Sequence, residues 1–300
     1  MPNRNEFAIF CDSVTKAYDK KVILGDIDLR VRGNEFVTVV GPSGCGKSTL
    51  LRQILGQETP TSCDDFLING KHVKHPDVTR GIVYQQYSLF PHMSVLDNVL
   101  IGPYMHNGVF RFHRDRKKHL AEAMSMLRRV GLAEHAKKKP GKLSGGQRQR
   151  VAIVQAVIMK PKILLMDEPF GALDPTTREG LQQFMIELWK ETGMTIFFVT
   201  HDLEEAFYVG SRIIGLSQYF MEGLIDDIEG NGSHGARIVF DMNVRHLTDR
   251  STGEFGRAMM HLRHDCYDPD SRNKNHVQHL FLDHPDSFAT LTDAQRGKVD

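Results

Sequence analysis

Gly41, Pro42, Ser43, Gly44, Cys45, Gly46, Lys47 and Ser48 match the pattern GxxxxGK[ST] in full, and Thr49 follows them. A loop of this kind lets the backbone wrap a phosphate chain. Its successive N–H groups point inward, beside the positive end of the helix that comes next. Lys47 would reach the β- and γ-phosphates, and the Ser48 hydroxyl would ligate Mg²⁺. Much further along, the apolar run ILLMD at residues 163–167 ends in Asp167 and is followed by Glu168. A buried parallel strand reads as a continuous apolar run, and ligands in such sheets sit at its C-terminal end. Asp167 is suited to hold Mg²⁺ through a water, and Glu168 to polarise the water that attacks the γ-phosphorus.

A third cluster lies between these two. Leu143, Ser144, Gly145, Gly146 and Gln147 read LSGGQ and run on into RQR. Ser144 can cap a helix start, the glycines permit close approach, and exposed N–H groups there face an anion. With all three clusters in this order, residues 7–220 resemble the ATP-binding subunits of ABC transporters. The phrases GPSGCGKSTLLR, SLFPHMSVLDNV, MDEPFGALDP and VTHDLEEA are most similar to the nitrate/sulfonate/taurine-type importer ATPases.

The resemblance implies ATP and Mg²⁺ as ligands and assigns further roles. Gln85, in IVYQQYSLFPHMSV, contacts Mg²⁺ and senses a membrane partner. His201, after the run at 195–200, contacts the γ-phosphate. Asp174, in FGALDPTTRE, communicates across a dimer, and Tyr18, in KAYDK, stacks on adenine. Ser144, Gly145, Gly146 and Gln147 complete the ATP site of an opposing subunit. The implied partners are a second ATPase subunit, integral membrane permease subunits and an extracytoplasmic solute-binding protein, with no nucleic acid. The implied location is peripheral, on the cytoplasmic face of the inner membrane. The solute is not written here, because in such importers the membrane and solute-capturing subunits choose it. The chain departs from the family pattern in three places: Asn34 stands where Gly is usual, Cys63 where Gly is usual, and Gly210–Ser211 where Ala-Asp is usual.

The elements that must position these residues follow an α/β rhythm around a mainly parallel sheet. Strands are predicted at 7–12, 22–31, 35–40, 81–84, 163–167, 195–200 and 212–216. The first three are separated only by turn-sized gaps, which suggests an antiparallel edge. From about 91 to 157 the strand signal gives way to helical spacing, with Leu120, Met124, Leu127 and Val130 forming one stripe. The expected fold is thus a P-loop NTPase of the ABC type, α/β with an antiparallel β edge and an inserted helical subdomain at about 91–157. The ATPase domain is expected over 1–221 and a small C-terminal extension of unassigned role over 222–300, with a strand at 238–240 and a short helix at 256–263.

Composition bounds the remaining possibilities. The net charge is +1, hydrophobic content 40% and charged content 25%, so electrostatics alone gives no argument for nucleic acid. Residues 222–300 are acidic, with 14 Asp and Glu against 9 Lys and Arg. Cys11, Cys45, Cys63 and Cys266 lack CxxC spacing, which favours a reducing compartment. No run approaches the ~20 apolar residues of a membrane span, and MPNRNEFAIF has no secretory pattern. The Cys45 thiol, among N–H donors and beside Lys47, is expected to have a lowered pKa.

Competing readings remain. An ABC ATPase of DNA repair, chromosome structure or translation would carry two cassettes, long coiled coils or zinc modules. This chain has one phosphate loop and no heptad array. His261, His264, Cys266, His276 and His279 are candidate ligands of a transition metal. The extension could also be a regulatory or docking module, and the basic run RFHRDRKK at 111–118 could meet lipid headgroups.

Overall fold

Two long strands, β1 (Phe7–Tyr18) and β2 (Lys21–Arg32), pair antiparallel from Phe7↔Arg32 to Tyr18↔Lys21. Asp19 turns the chain at φ 52, a left-handed conformation that Asp tolerates better than most residues. A second tight turn carries Asn34 at φ 66 into β3 (Phe36–Val40). The departure from Gly at this position is thereby explained, since Asn also enters the left-handed region at low cost.

The computed structural model describes residues 4–86, 88–171, 173–218, 234–245, 247 and 253–268, apart from the side chains of Asn5, Val109 and His234. After β3 come α1 (Lys47–Leu55), β4 (Asp65–Ile68), β5 (Lys71–His72) and β6 (Arg80–Val83). Then follow α2 (Val95–Arg114), α3 (Arg116–Arg129), α4 (Gly145–Val157), β7 (Ile163–Asp167), α5 (Pro175–Thr192) and β8 (Thr195–Val199). The chain continues through α6 (Leu203–Val209), β9 (Arg212–Ser217), β10 (His234–Asn243) and α7 (Gly253–Tyr267). These residues fall into two compact units, one drawn from Met1–Pro76 and Phe197–Asp300, the other from Asp77–Ile196.

The first unit is built on a mixed sheet in the order β5-β4-β1-β2-β10-β9-β3. The expected antiparallel edge is present in β1 and β2 and extends through β4 and β5. It does not include β3, as the turn-sized gaps had suggested. Instead β3 pairs parallel with β9, from Val37↔Arg212 to Val40↔Gly215. All five residues of FVTVV are buried, the pattern of a central parallel strand rather than a half-solvated edge.

Residues of the expected extension supply part of this core. β10 lies parallel to β2 and antiparallel to β9, and it is longer than the 238–240 predicted. Ala258, Leu262 and Cys266 recur every four residues along α7 and pack with Val40, Ile213, Phe240 and Met242. Helical period places all three on one face.

A buried ion cluster joins three elements of the same unit. Arg212 donates to both carboxylate oxygens of Asp241, at 2.7 and 2.6 Å, and to Glu35 at 3.0 Å. Burial works against its charge, but the two carboxylates outweigh burial and hold the guanidinium above its usual pKa. Next to it, Ser211 Oγ accepts from the Phe36 amide at 2.9 Å. A Cβ at Gly210 would lie 2.7 Å from both the Ala206 carbonyl oxygen and Thr38 Oγ1. Thr38 and the Ala206 carbonyl thus fill the space that the usual Ala would need, which accounts for Gly210. Nothing in the structure explains Cys63.

In the second unit β6 and β7 pair parallel, Arg80↔Ile163 to Val83↔Met166. Helices dominate the stretch expected at about 91–157, beginning at Val95 rather than 91. α2 opens on a Ser94 cap and is broken at Gly108, where φ 68 and ψ 166 leave the helical region. On α3 the predicted stripe holds in part: Leu127 is buried, with Val130 buried at the C-cap, but Leu120 and Met124 are only partly buried, and Ala123, outside the stripe, is fully buried. Among the described residues no helix is long and apolar enough to cross a membrane.

Candidate nucleotide site

The phosphate-loop motif occupies the turn between β3 and α1. Gly41 sits at φ 151, and a Cβ there would lie 2.0 Å from the Leu216 carbonyl oxygen. Only glycine fits, because β9 passes directly behind it. At Gly46, φ is 91 and a Cβ would approach Leu24 Cδ2 to 2.6 Å. Gly46 is the N-cap of α1, and no side chain caps that helix, as at a helix start that an anion completes. Lys47 is buried inside the loop, and its Nζ donates to the carbonyls of Gly41 at 2.7 Å and Pro42 at 2.9 Å. A cation already lodged among loop carbonyls beside an uncapped helix start is a donor set that fits a phosphate chain.

Tyr18 ends β1 and is 41% exposed. Its hydroxyl pairs with Glu58, and Lys16 Nζ stands 4.9 Å from the ring centroid. Burial and Glu58 push its pKa up, against a hydrogen bond with Thr49. Tyr18 is therefore beside the first turn of α1. His201 is exposed after β8 and precedes Asp202, which caps α6 by accepting from the Glu205 amide at 3.1 Å.

In the second unit Asp167 ends β7, and the chain turns sharply at Glu168, whose φ is 44. A left-handed non-glycine residue costs on the order of 1 kcal/mol, and here it falls on the acid singled out from the sequence. Gln85 Nε2 donates to Glu168 Oε2 at 3.2 Å. Sequence reasoning placed the two near one ligand; the direct contact is new. Ser144 caps α4 as expected, in a reciprocal arrangement. The Gln147 amide donates to Ser144 Oγ at 3.3 Å, and the Ser144 amide to Gln147 Oε1 at 3.0 Å. A Cβ at Gly146 would lie 3.0 Å from Thr177 Cγ2, whereas one at Gly145 meets no atom within 4 Å. Asp174 caps α5, and the Thr177 amide, donating at 3.0 Å, lowers its pKa.

The structure thus brings Tyr18, Thr49 and the phosphate loop together in one unit. In the other it brings Gln85 to Glu168, with Asp174 and the residues 144–147 at two helix starts. One expectation is overturned. The Cys45 thiol is pushed up, not down, because burial outweighs the opposing influence of Lys47. Cys266 is also fully buried, and among the described residues no three His, Cys, Asp or Glu side chains are placed to hold a metal. His276 and His279 lie outside the described residues. Sequence reading missed Tyr267, whose hydroxyl accepts from the Gly41 amide at 3.1 Å. No local pattern marks that tyrosine, which is 226 positions away in sequence.

Comparison with known proteins places this arrangement. The family described as "ABC transporter" matches residues 24–171. The chain is 44% identical over 192 residues to a taurine import ATP-binding protein, TauB, of Roseobacter denitrificans, covering 64% of this chain and 69% of that one. It is 41% identical over 242 residues to a spermidine/putrescine import ATP-binding protein, PotA, of Oleidesulfovibrio alaskensis, covering 77% of this chain. It spans 62% of the length of that relative. A solved ATP-binding cassette, a dimer in a post-hydrolysis state bound to ADP and Pi, superposes with a TM-score of 0.59 at 36% identity, covering 69% of this chain and 93% of that one. With its phosphate loop, its capped LSGGQ helix and relatives of this similarity, the chain belongs to the ABC transporter family, among its ATP-binding proteins.

Proposed function

We propose that this chain binds and hydrolyses ATP to power import of a small solute through a membrane ABC transporter. The observation that carries the hydrolytic reading is Glu168, an acid at the end of β7, held in a left-handed turn with the Gln85 amide on its carboxylate. In this reading Lys47 exchanges the Gly41 and Pro42 carbonyls for phosphate oxygens. His201 contacts the γ-phosphate, and the partly exposed Tyr18 stacks on adenine. Ser48, Asp167 and Gln85 supply the hard oxygen donors that Mg²⁺ prefers, and the ion when bound neutralises phosphate charge. Glu168 orients the attacking water and accepts its proton, with Gln85 fixing the carboxylate.

Ser144, Gly145, Gly146, Gln147 and Asp174 are assigned to the ATP of a second subunit. Gly145 supports this, since neither backbone conformation nor packing against the described residues requires glycine there. A homodimer, permease subunits, a solute-binding protein and a peripheral location on the cytoplasmic membrane face belong to the same proposal, as does a nitrate-, sulfonate- or taurine-like solute, which the similarity to a taurine import protein supports.

Glu168→Gln tests the reading. The variant is expected to lose at least about a hundredfold in turnover while ATP drives a stable dimer visible by size-exclusion chromatography. Hydrolysis at the wild-type rate would remove Glu168 from its role.

A further inference from the structure

Gly41 is where β3 gives way to the phosphate loop, and both of its backbone polar groups are held. Its amide donates to the Tyr267 hydroxyl at 3.1 Å, and its carbonyl accepts from Lys47 Nζ at 2.7 Å. One residue therefore joins the last residue of α7 to the ammonium of the loop. The neighbour of Tyr267 is firmly seated. Cys266 is fully buried, so close to β9 that a Cβ at Gly215 would stand 2.2 Å from its sulfur. The Cys266 carbonyl also accepts from Ser217 Oγ at 2.9 Å. Leu262 and Ala258 continue the same buried stripe one and two turns back along the helix.

We propose that Tyr267 is a positioning residue of the phosphate loop. Its hydroxyl fixes the Val40–Gly41 peptide at the entry to the loop, so the seating of α7 sets the affinity for Mg-ATP. The physical reason is the cost of a buried amide without an acceptor. Without the hydroxyl the loop populates other conformers, and apparent affinity falls by the fraction of chains that leave the binding form. The inference rests on reading residues 41–48 as a nucleotide loop, and it extends that site to an element outside the matched family region of 24–171.

The test is Tyr267→Phe in the full chain, which keeps the ring and removes one oxygen. The Kd and KM for Mg-ATP are expected to rise about tenfold, with kcat within about twofold. Amide hydrogen exchange over residues 37–46 should quicken in the nucleotide-free protein. Met260→Ala, on the exposed face of α7 (65% exposed), should change none of these. If Tyr267→Phe does not fold, Ser217→Ala, which unties the Cys266 carbonyl, carries the test with the same readouts. An unchanged Kd overturns the proposal, whether or not the thermal midpoint falls, because a purely structural plug would move stability alone. A wild-type chain that binds no Mg-ATP overturns this inference together with the functional reading. Wild-type binding with an unaltered variant overturns this inference only.

Discussion

Lys47 and Cys45 show how one loop treats two reactive side chains differently. Both are buried, yet Lys47 points its ammonium at two carbonyls, while the Cys45 thiol loses more from burial than it gains from the neighbouring charge. The thiolate is the nucleophile, so the native protein should alkylate slowly at this position. Of the four cysteines, only Cys63 is exposed. Brief iodoacetamide treatment at neutral pH, read by peptide mass spectrometry, is expected to label Cys63 and spare Cys45. Rapid labelling of Cys45 would show that the loop opens far more often than its packing implies. The places of Lys47 and Ser48 at the start of α1 and of Glu168 after β7 were legible, because a strand, a Gly-rich turn and a helix, or an apolar run ending in acids, are local patterns. The direction of the Cys45 shift was not, because it depends on how completely β9 and the loop exclude water.

At the scale of elements, the ends and joints decide where chemistry sits. α4 and α5 begin on side-chain caps at Ser144 and Asp174, both readable from the local sequence, since a cap needs only a short polar side chain before a helical run. The joint formed by Arg212 of β9, Asp241 of β10 and Glu35 before β3 was not readable, because its members are 29 and 177 positions apart. Breaking a buried ion pair leaves an uncompensated charge and costs about 3–5 kcal/mol. Asp241→Ala is therefore expected to lower stability by that amount in urea unfolding. A loss under about 1 kcal/mol would mean that Glu35 alone satisfies Arg212. The same distance problem hid the pairing of β3, whose short gap from β2 suggested a hairpin neighbour. Its two buried faces instead placed it beside β9.

At the scale of the whole molecule, the proposed function assigns residues 144–147 to the ATP of a second subunit. Ser144 is exposed, Gly145 has open space around it, and the capping box holds the backbone amides in place. Ser144→Arg is expected to leave the Kd for ATP within about twofold, since only the loop of the same chain binds first. Hydrolysis should fall at least about a hundredfold, as a large cation would block the second subunit's approach. Equal loss of binding and hydrolysis, measured by equilibrium binding and phosphate release, would refute the assignment to a partner's ATP. By itself the amino-acid sequence determined the family, ATP as its ligand and a helical stretch expected at about 91–157, because those rest on short ordered motifs and local periodicity. Only the tertiary structure decided that β10 and α7 belong to the core of the first unit and that Tyr267 holds Gly41. Such contacts pair residues far apart in the chain, and what selects them is burial and hydrogen-bond satisfaction in three dimensions, which no local pattern encodes.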